Sequence, residues 1–302
     1  MRLSTSLPSV LVTVLAAGPL SAQSGGGVTL QLPPTALAAA RGDAQVVGGS
    51  VDAMLANPAR TGVSRGVTIS LGRFAGASTQ GTLATSTALG PVSVGFFASW
   101  LDFGSDGVVP RIADLTVRGP VDASSLVAGT ALAMNLLGFR LGAALSYGED
   151  RLPGGRVSAA LYDFGVSRTV AGLQVGLAVQ HLGSDFEIGA VRRELPTRVS
   201  LGVRPRVTRI GAFLDLNLAA GLARERGGRI TPSAVAELTY EPVQGWTGTV
   251  RLGARRVDGS GDPALQPIVV GGSLGLDRFA LDYAFESYRG TGAVHRIGIR
   301  IE

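Results

Sequence analysis

The chain closes on "FALDYAFESYRGTGAVHRIGIRIE", Phe279–Glu302. Phe279, Leu281, Tyr283 and Phe285 alternate with Ala280, Asp282, Ala284 and Glu286. After the turn-like "RGTG", His295, Ile297, Ile299 and Ile301 alternate with Arg296, Gly298, Arg300 and Glu302. A period of two predicts β-strands with one apolar and one polar face. A soluble sheet buries the apolar face in a core. A membrane barrel turns it to hydrocarbon and keeps the polar face inside.

Working outward, the same alternation recurs in about fourteen segments, from Val67–Arg73 to Val294–Glu302, an even number. Most are near the 9–11 residues that cross a bilayer at a tilt. The connections alternate in length. Gly90–Pro91, Val170–Gly172, Pro205–Val207 and Asp277–Arg278 are short, whereas Gly104–Ser125, Gly183–Pro196 and Asp258–Pro267 are long. Tight turns on one rim and longer loops on the other suit an outer-membrane barrel. In the segment Ile210–Leu218, Ile210, Ala212, Leu214, Leu216 and Leu218 oppose Gly211, Phe213, Asp215 and Asn217. Trp100, Tyr147, Tyr240, Trp246 and Tyr288 stand near segment ends, as interfacial aromatics do. A secreted sandwich or propeller is the alternative, but it needs larger core residues than the Gly, Ala, Ser and Gln of the polar face. The expected fold is therefore all-β: a transmembrane antiparallel barrel with a short N-terminal plug containing a small helix.

The 302 residues include 44 Gly and no Cys, and the net charge of +5 comes entirely from Arg over acidic residues. Lack of Cys removes disulfides, thiol chemistry and a lipoprotein anchor. The Arg residues are dispersed, which argues against nucleic acid. "MRLSTSLPSVLVTVLAAGPLSA" has one Arg, a short apolar run and a small-residue end. It predicts a signal peptide over residues 1–22, export, and residence in a bacterial outer membrane. Residues 23–64 then form a lead-in, flexible at "SGGG", and a plug; residues 65–302 form the barrel.

Two G-x-S-x-G runs, Gly62–Gly66 and Gly271–Gly275, lack the strand-to-helix setting of a nucleophile elbow. The "RGD" at Arg41–Asp43 lies within the plug segment. His181 and His295 are too far apart for metal spacing. No enzyme, metal or cofactor is expected. The polar face contributes Arg140, Arg198, Asp215, Arg251, Arg255, Asp282, Glu286 and Arg300 to the lumen, where ion pairing is the expected role. This face reads as small and charged, which disfavours a greasy tunnel.

The plug segment contains Ala40, Arg41, Gly42, Ala44, Gly48, Gly49 and Ala53, followed by "NPA" at Asn57, Pro58 and Ala59. This pattern resembles the N-terminal signature of the PorV/PorQ family, which is similar in turn to FadL-type transporters. "DYAF" at Asp282–Phe285 and "HRIGI" at His295–Ile299 resemble its closing strands. Arg60 after the "NPA" and the terminal Glu302 depart from the family pattern. The resemblance implies fourteen strands and a lumen plugged by the N-terminal segment. It also implies one of two roles: binding or passage of small hydrophobic molecules, or a non-transporting part in type IX protein secretion. Partners would be outer-membrane lipids, with hydrophobic small molecules or secretion-system proteins. Asn57 is expected to hold the plug against inward groups such as Arg251 or Asp282.

Overall fold

The computed structural model describes residues 27–74, 78–104, 123–152, 155–188, 191–228, 230–255, 268–288 and 292–302. The barrel strands, numbered β1–β14, are Gly66–Phe74, Thr79–Leu89, Val92–Asp102, Ser124–Leu136, Phe139–Leu152, Gly155–Val170, Leu173–Gly183, Arg198–Arg204, Leu214–Glu225, Ile230–Val243, Trp246–Arg255, Ile268–Leu276, Phe279–Tyr288 and Gly292–Ile301. Each pairs antiparallel with its sequence neighbours, and β1 pairs with β14 from Val67↔Ile301 to Phe74↔Val294. The sheet is thus closed. Closure gives every central strand two partners, as hydrocarbon requires of exposed backbone. The fourteen strands agree with the alternation of the sequence. Residues 1–22 and most of the predicted loops at 104–125 and 258–267 lie outside the described residues.

At the short-turn rim, Leu137–Gly138 and Ala171–Gly172 turn with φ of 51° and 77°, and 49° and 83°. Paired positive φ values give two-residue turns whose twist matches the flanking strands. One turn differs from its expected place. Proline cannot donate to a ladder, and β8 stops at Arg204, before Pro205. A short strand, Thr208–Ile210, folds back on Leu214–Leu216, so the reversal falls at Gly211–Phe213. Phe213, expected on the lumen side, is instead exposed and meets Tyr240 edge-on, ring centroids 6.4 Å apart.

The outside of the barrel is apolar. Val250 is 64 % and Leu274 61 % exposed, values a soluble sheet would not leave uncovered. Trp100, Tyr147, Tyr240 and Trp246 are exposed as well. Outward Thr85, on a strand of uneven alternation, satisfies its hydroxyl on the Gly66 carbonyl at 2.8 Å. No helix among the described residues is long and apolar enough to cross a membrane; the strands form the apolar surface.

Candidate functional site

The described chain before β1, residues 27–65, fills the lumen. It starts at the long-loop rim, where the Gly27 N–H donates to Asp150 Oδ2 at 2.9 Å. Val28–Gln31 makes one helical turn. Thr35 caps the helix Ala36–Arg41 by accepting from the Ala38 N–H at 3.0 Å. Three 3₁₀ turns follow, Gly42–Val47, Val51–Leu55 and Pro58–Arg60, before the chain enters β1 at the short-turn rim. The segment therefore runs the length of the barrel. Residues 27–34 form an arm above the plug proper, in a stretch whose composition reads as lead-in.

Inward glycines let the plug backbone approach the wall. A Cβ at Gly142 would collide with Pro58 and Ala59, one at Gly253 with the Ala40 carbonyl, and one at Gly221 would lie 2.5 Å from Asp43. Gly142 pairs with Gly165, which faces Asn57, and Gly202 pairs with Gly221. The Gly content of the polar face is thus a mould of the plug. Gly142→Val is expected to push Pro58–Ala59 off the wall and cost about 1–3 kcal/mol, as overpacking does. Urea-unfolding midpoints of the purified barrel measure this; an unchanged midpoint would refute the close fit.

Charges lock the plug on the opposite wall. Arg41 of the helix grips Glu237 through Nε at 2.7 Å and Nη2 at 3.3 Å. Glu237 also accepts from Arg251 Nε at 2.8 Å and Asn217 Nδ2 at 2.7 Å. Arg251 reaches Ser273, Ser273 bonds Asp282, and Asp282 accepts from Arg300 Nε at 2.6 Å. Arg300 pairs with Glu302 at 2.8 Å, and Glu302 accepts from the plug's Val51 N–H at 3.0 Å. The circuit leaves the plug at Arg41, crosses five barrel strands and returns to it. It balances three guanidiniums against three carboxylates. Arg41 is held above its ordinary pKa: burial works against the charge, and the Glu237 carboxylate more than offsets it.

The remaining lumen residues fall into smaller groups. Glu286 and Arg296, each 0 % exposed, pair with each other, and Arg255 joins Glu286 at 2.6 Å. Arg198 binds Asp43 of the plug and Glu225. Arg140 donates to the carbonyls of Ala59 and Thr61. Asp215 lies at the rim on exposed Arg209, apart from the plug circuit. Asn57 does not meet Arg251 or Asp282. Its Nδ2 donates to Val46 O at 3.0 Å and to Val166 O of β6 at 3.4 Å, while Oδ1 accepts from the Ala59 N–H and caps the turn at Pro58. Buried Arg60 donates to Gly48 O at 2.7 Å. Burial, with Arg204 and Arg140 nearby, pushes its pKa down to about 10. The Arg-Gly-Asp run is held inside through Arg41 and Asp43. Ser273 lies mid-strand between Arg251 and Asp282.

Sequence reasoning missed Glu237 and Arg41, the centre of the lock. The available signal was register: Glu237 stands directly opposite Arg251 across β10 and β11. It also misjudged the upper lumen. Val127, Val157, Leu161, Phe186 and Leu195 form a buried apolar cluster that Leu30 of the arm joins. Leu101 and Phe103 form another with Val28 and Leu32. The long-loop half of the lumen thus carries apolar clusters as well as its charged pairs.

Between arm and plug lies a chamber of about 130 Å³. Leu30, Leu32, Phe97 and Val127 supply apolar walls; Ser146, Asp163, His181 and Ser200 supply polar ones. An apolar cavity of about 150 Å³ holds one benzene; this chamber is slightly smaller and partly polar.

A closed fourteen-stranded antiparallel barrel with an N-terminal plug defines the class: a transmembrane β-barrel. No protein-family model matches the chain, and no curated relative matches it in sequence. Solved structures do match. The toluene transporter TbuX of Ralstonia pickettii superposes with a TM-score of 0.55 at 12% identity, over 89% of this chain and 98% of that one. The CymD monoaromatic hydrocarbon channel gives 0.55 at 11% identity, over 88% and 97%. The toluene transporter TodX of Pseudomonas putida gives 0.53 at 11% identity, over 88% and 96%. The likeness is one of fold, shared along nearly the whole of each chain.

Proposed function

We propose that this chain is a bacterial outer-membrane protein of the PorV/PorQ-like, FadL-type group that admits small hydrophobic molecules through its plugged lumen. The observation that carries the reading is the chamber, capped by a greasy arm and floored by a plug latched to the wall. The wall of this chamber sets Leu30, Leu32, Phe97 and Val127 beside charged Asp163, Arg198 and Arg255. The toluene and monoaromatic channels of the same fold support a ligand of this size. The orientation follows barrel habit, with short turns toward the periplasm.

Ser200 is 4% exposed and lines the chamber. Ser200→Trp is expected to fill it and bring uptake of radiolabelled toluene by expressing cells down to the level of cells without the protein. Uptake equal to that of the unchanged barrel, at equal amounts of heat-modifiable protein, would sink the reading. If the chain instead serves type IX secretion, uptake stays at background throughout, and pull-downs from native outer membranes return secretion-system proteins.

A further inference from the structure

Strand β7 bulges where it faces β6. Tyr162 pairs with Leu182 and Phe164 with Val179, so Asp163 alone stands opposite both Gln180 and His181. His181 has φ of 59°, in the left-handed region that non-glycine residues avoid. Bulges re-aim side chains, and backbone strain of this kind persists where surrounding structure holds it and function uses it. Here two successive β7 residues turn to the lumen. Gln180 donates to the plug's Leu55 O at 2.8 Å. His181 and Asp163 line the chamber.

Both groups are fixed in place. Asp163 Oδ1 accepts from the His181 N–H at 2.6 Å, and Thr197 Oγ1 donates to the His181 carbonyl at 3.1 Å. His181 Nδ1 lies 3.1 Å from the Pro196 carbonyl. A carbonyl oxygen only accepts, so Nδ1 carries the hydrogen and Nε2 of the neutral ring is an acceptor. Among the described residues, neither that nitrogen nor Asp163 Oδ2 has a hydrogen-bond partner. The chamber thus combines apolar walls for a ring with two acceptors, on the paired strands β6 and β7, that accept from none of the described residues.

We propose that the chamber selects small aromatic molecules bearing a hydroxyl over hydrocarbons of the same size, with Asp163 or His181 receiving the single hydroxyl hydrogen. The inference rests on the chamber being a site for small hydrophobic molecules. A methyl group in the hydroxyl's place leaves both acceptors desolvated and unpaired, and a site built around a hydrogen bond rejects the analogue that lacks it.

Phenol, toluene and anisole separate the possibilities: phenol donates, anisole only accepts, and toluene does neither. Each is titrated calorimetrically into the purified barrel in micelles, with micelle-only titrations subtracted. Phenol is expected to bind about tenfold tighter than either of the others, after correction for partition into micelles. Asp163→Asn keeps an oxygen for the His181 N–H and replaces the free acceptor with an NH₂. It should abolish most of phenol's advantage and leave toluene unchanged. Toluene or anisole matching phenol in the unaltered protein overturns the inference while sparing the transport reading. A phenol advantage that survives both Asp163→Asn and His181→Phe also overturns it. Binding of none of the three overturns inference and transport reading together. The phenol–anisole comparison needs no variant, so it stands even if a substituted barrel fails to fold.

Discussion

Glu237→Gln is expected to release the plug and cost the closed barrel about 3–5 kcal/mol, the range for removing one partner of a buried ion pair. Glu237 is 4% exposed and meets two guanidiniums, Arg41 of the plug and Arg251 of the wall. A glutamine keeps the shape and one acceptor, but leaves two cations side by side with their shared carboxylate gone. Arg251 retains Ser273 and a more distant Asp282 at 3.9 Å. Among the described residues Arg41 keeps hydrogen bonds to Gln45 and Ser50, at 3.2 and 3.4 Å, and the more distant charge of Asp52. The imbalance therefore falls on the plug side, and the plug is the part free to leave. Single-barrel conductance in planar bilayers should rise toward that of a barrel lacking residues 35–62. Thermal unfolding, scored by heat-modifiable migration, should shift downward. Adding Arg41→Met should recover part of the loss, because the two sites share one interaction. Wild-type conductance and wild-type unfolding in Glu237→Gln would show that the circuit does not latch the plug.

The second large effect belongs to the outer face. Val250→Arg is expected to lower barrel stability by about 2–4 kcal/mol, the cost of a cation at the bilayer midplane. Val250 lies four residues, roughly 13 Å of strand, from Trp246 at the aromatic rim, near the middle of an apolar band about 25 Å tall. Its neighbour Arg251 makes the control within one strand: the same side chain is native one position later, because it points inward to Glu237. Folding into lipid vesicles across a urea series gives the measurement. A Val250→Arg barrel as stable as the unaltered one would mean that this face does not meet hydrocarbon.

How much of this was legible beforehand can be followed residue by residue. The alternation in Phe279–Glu302 gave both faces of the last two strands correctly, and the pairing of Asp282 with Arg300 follows from their shared inward face. Asn57 was legible as a turn-former before Pro58, but its partner was not. Asn57, in the plug, bonds β6 rather than Arg251 on β11, and sequence spacing carries no information about position around a ring. The turn at Gly211–Phe213 was misplaced because Ile210–Leu218 alternates without a break and reads as one strand, until Thr208–Ile210 pairs back on β9.

The sequence by itself determined the barrel. Hydrophobic alternation is a local property of each strand, and hydrocarbon outside admits only a closed sheet. Only the tertiary structure decided what the lumen holds. Glu237 and Arg41 are 196 residues apart, and the chamber draws its walls from the arm, the plug and distant strands. Those contacts depend on the register of a closed ring and on glycines shaped to a particular backbone, and neither leaves a periodic trace in the chain.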